Sequence, residues 1–179
     1  GLLSSPLRAR FGLNHHFDFY STEEISKILF NASNALKIKI QKKLTDTIAS
    51  RSRGTPSIGL RLLRRVRDYA QVVQNGIIDS STIDKALELE GIDTLGLDKL
   101  DRSYLKALKE IYGGGPAGLE AIAASLGEDP RTIEDLVEPY LLQKGFVART
   151  RQGRLLPGNS GANPTKSPSP LFDLDFDKK

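Results

Sequence analysis

Residues 129–154, DPRTIEDLVEPYLLQKGFVARTRQGR, leave little freedom in what this chain can fold into. Asp129 is a natural N-cap acceptor, and Pro130 suits the first helical position, where its missing N–H is no loss. Ile133, Leu136, Val137, Tyr140 and Leu141 then recur at helical spacing, and Gly145 supplies the stop. Pro139 lies inside this pattern and is expected to kink the helix or end its regular part. Phe146 and Val147 follow, then Arg149, Arg151, Gln152-Gly153 and Arg154, the composition of a short hairpin with a basic turn. Between Lys144 and Arg154 there are four positive charges and no acid. Just upstream, Leu119, Ile122, Ala123 and Leu126 predict a shorter apolar helix broken by Gly127.

Helix, tight turn, helix and basic hairpin make the outline of a winged helix-turn-helix. The residues leave two uses open. Such a module docks on duplex nucleic acid, with wing arginines against phosphates. It also joins proteins to proteins, the arginines then being a charged edge that blocks strand pairing. The helix over 129–144 carries Glu134, Asp135 and Glu138, and no set of Asn, Gln or Arg for base edges. If it meets DNA, backbone contact without sequence reading is expected.

The chain has 179 residues, room for one or two small domains, and no cysteine, which excludes disulfides, thiolate zinc sites and cysteine nucleophiles. No apolar run approaches the roughly 18 residues of a membrane span, and the start is not a signal peptide. Gly1 in place of an initiator Met, with no Met anywhere, suggests a piece that begins inside a larger protein. Residues 1–75 hold 13 basic and 5 acidic side chains, residues 76–179 hold 13 and 17. The first part therefore suits an anionic partner, a nucleotide phosphate or DNA. Lys37, Lys39, Lys42 and Lys43 are read as a solvated face.

Along the chain, residues 1–20 read as extended or looped. Ser21 and Glu24 form a capping box that opens a helix with Ile25, Ile28, Leu29, Ala32 and Leu36 on one face. A second helix is expected over 42–53, stopped by Gly54. A third starts at Thr55-Pro56, with Ile58, Leu62, Leu63, Val66, Tyr69, Ala70 and Val73 inward. Ser81 is expected to cap a helix over 82–90, and Asp101 to begin another with Tyr104, Leu105, Leu108, Ile111 and Tyr112 inward. The domain boundary is placed between Asn75 and Ser81. From residue 157 on, Pro, Gly, Asn and Ser dominate and predict a disordered tail. Its end, LFDLDFD, is either a short docking motif for a basic, apolar groove or a tail with no partner.

No Gly-x-x-x-x-Gly-Lys-Ser/Thr loop occurs, so this sequence holds no P-loop. His15 and His16 are adjacent and would point to opposite faces of a strand, so no metal site is expected. Two arginine clusters remain. Arg8 and Arg10 lie on a segment bounded by Pro6 and Gly12, the rigid placement that a clamp on a transferring phosphoryl group requires. Arg51 and Arg53 abut a helix N-terminus, whose free N–H groups favour an anion.

Taken together, residues 3–12 (LSSPLRARFG), 53–56 (RGTP), 62–68 (LLRRVRD), 114–119 (GGPAGL), 138–141 (EPYL), Gly145-Phe146 and Arg149-Thr150 closely resemble the RuvB family, in order and spacing, from Gly1 to about Leu156. That family supplies the ATP-driven motor of the bacterial complex that migrates Holliday junctions in homologous recombination, DNA repair and the SOS response. The resemblance implies a mainly α fold: the end of an AAA+ large domain over 1–20, an AAA+ lid over 21–76, a winged-helix DNA-binding head over 77–156, and the tail over 157–179. It implies a cytoplasmic homohexamer on double-stranded DNA, working with RuvA and RuvC, with ATP and Mg²⁺ held by an upstream large domain whose Walker A and B residues are not in this sequence. The piece itself is then expected to hydrolyse no ATP.

Position by position, the resemblance makes Arg10 the arginine finger that reaches a neighbouring subunit's nucleotide. It makes Tyr20 a nucleotide contact, and Arg149 and Arg154 DNA contacts, with Arg131 close to that surface. Arg8 is a neighbour of the finger, either a second phosphate contact or half of a structural ion pair. The family's sensor-2 arginine, which follows Gly-Thr-Pro, is Ser57 here, and a hydroxyl cannot neutralise phosphate as a guanidinium does. Arg61, one turn on, either compensates or has its own packing role. The wing reads Arg149-Thr150-Arg151-Gln152-Gly153-Arg154, keeping the outer arginines but losing the family's proline. The alternative left open is a non-enzymatic winged-helix DNA-binding or adaptor protein.

Overall fold

The computed structural model describes Arg10 and residues 18–158. Arg8 and the tail from residue 159 on lie outside the described residues, and so do the expectations attached to them.

Four helices share the first core. In α1 (Thr22–Ala35) the Ser21–Glu24 box forms as read, the Glu24 N–H donating to Ser21 Oγ at 3.2 Å and the Ser21 N–H to Glu24 Oε2 at 2.8 Å. Helices α2 (Lys42–Ser50) and α3 (Pro56–Val73) follow, the latter with Pro56 in its first turn. Leu36 and Val73, expected inward, are exposed, because each lies where its helix ends and the core no longer faces it. Helix α4 (Ser80–Leu89) is capped by Asp79, which accepts the Thr82 N–H at 2.7 Å, two residues ahead of the cap expected at Ser81.

The boundary placed between Asn75 and Ser81 is corrected. Ile83, Ala86 and Leu87 of α4 pack with Ile25, Leu29, Ile48, Leu62 and Val66, and Ile92 lies against the same cluster. Gly76 is a turn rather than a domain break. Its N–H donates back to Ala70 O at 2.9 Å and folds α4 onto α3. Each fully buried aliphatic side chain here contributes roughly 1.5–3 kcal/mol, so α4 is part of what holds the first unit together.

The second core begins at Leu95 and Leu97 and runs to Leu156. Helix α5 (Lys99–Glu110) opens with a capping box between Asp98 and Asp101, so Asp101 is its third residue rather than its start. After α6 (Leu119–Leu126) comes the helix predicted over 129–144, in three consecutive pieces: α7 (Pro130–Thr132), a π-helical turn (Ile133–Val137) and α8 (Glu138–Gln143). Asp129 caps it, accepting the Arg131 N–H at 2.8 Å. The expected disturbance at Pro139 takes the form of the widened turn. Glu138 donates its N–H to Ile133 O, five residues back, which makes room for the proline ring that an α-helical turn would drive into the preceding carbonyl.

Strands β1 (Ala148–Thr150) and β2 (Gly153–Leu155) pair antiparallel, with Arg149 opposite Arg154. Ala117 adds a bridge on the far side of β2, exchanging both backbone hydrogen bonds with Arg154 at 2.8 and 2.9 Å. The approach is so close that a Cβ at Gly153 would enter the Ala117 backbone, and one at Gly115 that of Arg154 and Leu155. Glycine at both positions seats the wing against the head. The described residues thus form a mainly α molecule with one small hairpin, the fold class expected.

Candidate functional site

The wing and the helix beneath it meet through two ion pairs. Arg149 and Arg154 oppose each other across the hairpin and so share one face. Glu134 and Glu138, four residues apart, face them from the helix. Arg149 Nη2 lies 3.1 Å from Glu134 Oε1, with both side chains about half exposed. Arg154 instead is 8 % exposed and grips the buried Glu138 with two bonds, Nε to Oε1 at 2.7 Å and Nη2 to Oε2 at 3.1 Å. Tyr104 OH completes the set, donating to Glu138 Oε1 at 3.1 Å from within the core. The hydrogen bond to Glu138 holds the Arg154 guanidinium above its ordinary pKa, and burial followed by the Glu138 charge does the same to Tyr104.

The two arginines read as equivalent DNA contacts are therefore not alike. An exposed pair such as Arg149–Glu134 is worth roughly 0–1 kcal/mol and exchanges readily. A buried, doubly bonded pair is locked, since parting it leaves a charge uncompensated. Glu138 is also removed from the acidic face expected on the helix, leaving Glu134, already paired, and Asp135. Arg151 at the turn and Arg131 on α7 are exposed, with no carboxylate partner among the described residues.

The Tyr20 N–H donates to Gly54 O at 3.0 Å, which ties the exposed Tyr20 to the loop before α3; Ser57, in the first turn of that helix, is also exposed. Arg10 is helical and exposed. No ion pair joins it to another described residue.

The Arg51 and Arg53 pair, expected to favour an anion at the start of α3, is instead taken up by carboxylates of the chain itself: Arg51 Nη2 lies 2.6 Å from Asp84 Oδ1, and Arg53 reaches into the head. Arg53, in a left-handed backbone conformation (φ 54°), extends from the loop before α3 into the second core. Its Nη1 reaches Asp98 Oδ2 at 3.1 Å and Asp101 Oδ2 at 3.0 Å; its Nη2 reaches Asp101 Oδ1 at 3.3 Å and Leu136 O at 2.8 Å. The guanidinium carbon stands 4.8 Å from the centre of the Tyr140 ring, within the range of a cation–π contact.

Burial pushes the fully enclosed Asp101 from 3.8 to about 6, against the Asp98 N–H and Arg53, which pull it down. A carboxyl raised in the folded state favours folding most when protonated, so this contribution is complete below about pH 3.8 and is lost as pH rises through 6. Asp101→Asn should therefore flatten the decline of unfolding free energy between about pH 4 and pH 7, by about 2–3 kcal/mol. Urea titrations across that range check it, and an unchanged profile would exonerate Asp101.

No described helix is long and apolar enough to cross a membrane, and no cluster of metal-ligating side chains occurs among the described residues. A family model described as the RuvB AAA lid domain matches residues 20–93, and one described as the RuvB C-terminal winged helix domain matches residues 94–160. Their junction coincides with the division between the two cores. The solved Thermotoga maritima RuvB Holliday junction branch migration motor is similar at 47% identity and a TM-score of 0.83, over 88% of this chain and 53% of that one. A point mutant of Thermotoga maritima RuvB matches at 46% identity with the same TM-score, over 88% and 53%. The chain thus spans about half the length of the solved structures it matches.

Proposed function

Since the chain belongs to the RuvB family and carries its AAA lid and C-terminal winged-helix domains, we propose that it is the lid and DNA-gripping head of an ATP-driven motor that migrates Holliday junctions. The observation that carries this reading is the succession of those two domains, each with its own core, joined to a wing that presents exposed arginines.

In this reading Arg149 contacts phosphate by exchanging Glu134 for the DNA backbone. Arg151 and Arg131 add positive charge on either side. Arg154 enters as the wing's anchor, because Glu138 already holds its guanidinium. Contacts of this kind read no sequence, as suits a motor that must move along any duplex. Toward nucleotide the chain offers a ring at Tyr20 and a guanidinium at Arg10. Ser57 brings no charge to the sensor-2 position, and no phosphate loop is present, so these residues fit the margin of an ATP–Mg²⁺ site whose centre lies on a large domain. A homohexamer on duplex DNA in the cytoplasm, with RuvA and RuvC at the junction, completes the proposal.

Duplex binding by this chain against salt tests the wing. Arg149→Ala should flatten the slope of log affinity on log salt by roughly 0.9, the loss of one phosphate contact. A slope identical to that of the parent chain would sink the assignment and favour the adaptor reading.

A further inference from the structure

The two cores do not merge. The first ends with Ile92 and the second begins with Leu95 and Leu97. Beside their junction runs a cleft of about 230 Å³ lined by Arg51, Arg53, Arg61, Glu90 and Asp98, among others. Charged side chains line this cleft beside Ile58, Ile92 and Gly96, and directional bonds cross the join. Arg53 supplies four of them, and Arg102 of α5 adds a bond to Gly91 O at 3.0 Å and an ion pair with Asp93 at 3.6 Å. One side chain from the lid loop binds two carboxylates at the start of α5, the Leu136 carbonyl in the π-helical turn and the Tyr140 face on α8. Tyr140 is itself fixed by its hydroxyl, which donates to Leu95 O at 2.9 Å in the linker. A guanidinium is the one side chain that can do this, with five donors in a planar fork and a face that stacks on an aromatic ring. Its backbone is held at a positive φ that non-glycine residues seldom adopt.

The position of the clamp gives it meaning. Arg53 stands three residues before Pro56, the first residue of α3, and four before Ser57. On the head it ends at the π-helical turn that carries Glu134 and leads into Glu138, the two carboxylates that hold the wing arginines. We infer that Arg53 is the positioning residue that couples the nucleotide-facing end of the lid to the DNA-gripping wing, so that lid and head move as one body. The coupling role rests on the motor reading proposed above; the clamp itself does not.

Two measurements separate these. Because the chain has no cysteine, Lys43→Cys on the lid and Glu128→Cys on the head give one unambiguous pair of spin labels. The parent chain should show a single narrow distance distribution, Arg53→Met a broadened or shifted one, and Arg53→Lys, which keeps charge but loses the fork, a change of the same kind. Should Arg53→Met not fold, Arg53→Lys decides. A broad distribution in the parent, or an unchanged one in the folded variants, overturns the clamp. In the complete subunit, the same substitutions should leave ATP turnover within about twofold while junctions migrated per ATP fall at least about tenfold. Turnover and migration falling together, or coupling intact despite a broadened distribution, overturns the coupling role. A complete parent subunit that hydrolyses ATP but migrates no junction defeats the motor reading and the coupling role with it, and leaves the clamp to the distance measurement.

Discussion

Arg10→Ala in the complete subunit should lower ATP turnover by about a thousandfold or more. The transferring phosphoryl group spreads charge over its equatorial oxygens, and a guanidinium positioned in trans stabilises that charge without reorganising. Arg10 is exposed, and no ion pair joins it to another described residue. Arg10→Lys should restore little, because an ammonium lacks the planar fork. Mixed rings distinguish a contact in trans from a general defect. Arg10→Ala subunits combined with subunits disabled in the phosphate loop should recover part of the activity, from interfaces that pair an intact loop with an intact finger. Turnover in the mixture no higher than in either parent would remove Arg10 from the site.

The second large effect is on stability. Arg154→Ala should destabilise the chain by roughly 3–5 kcal/mol, because it leaves the carboxylate of Glu138, 1 % exposed, without its charged partner. Glu138→Ala should cost a similar amount, stranding both the guanidinium and the Tyr104 hydroxyl. The double replacement Arg154→Met/Glu138→Leu should be less destabilised than either single variant, since an apolar pair of similar volume removes the desolvation cost of both ions. Denaturant midpoints measure all three. Single variants within about 1 kcal/mol of the parent would mean that the pair is open to water, and would return Arg154 to the role of a phosphate contact. Under the anchoring role, a folded Arg154→Lys variant should keep the parent's salt slope, whereas Arg149→Ala should not.

Much of this was legible in the residues. Caps and stops are local, so Ser21–Glu24, Asp129-Pro130 and the glycines after α6 and α8 marked their helices nearly to the residue. The hairpin was legible from its basic turn. What failed was long-range. The inward face of α4 could serve either core, and nothing local to it says that Ile83 and Leu87 pack on Leu62 and Val66. The wing arginines looked equivalent because charge and spacing are equal. Their difference comes from the helix below, where the widened turn before Pro139 brings Glu138 under the hairpin and leaves Glu134 at its edge. Glu138 was read as surface charge for the same reason. A partial signal was available: two arginines at facing hairpin positions over two glutamates four apart suggest a ladder of pairs. Arg53 was harder to read: with Arg51 at a helix start it suggested an external anion, and nothing local points to carboxylates nearly fifty residues away.

The Arg149–Glu134 pair has a consequence for how such a head would travel. Its guanidinium never has to stand bare in solvent. In the proposed motor it would leave one phosphate for the Glu134 carboxylate and leave that carboxylate for the next phosphate. Each such exchange would trade one exposed anion for another, so the rungs of the track and the resting place between them would lie at similar depth. Glu134 then acts as a lubricant. In the proposed motor it would weaken the grip at any one point and lower the ridge between points, so that the energy of each hydrolysis would go into displacement rather than into tearing the wing free.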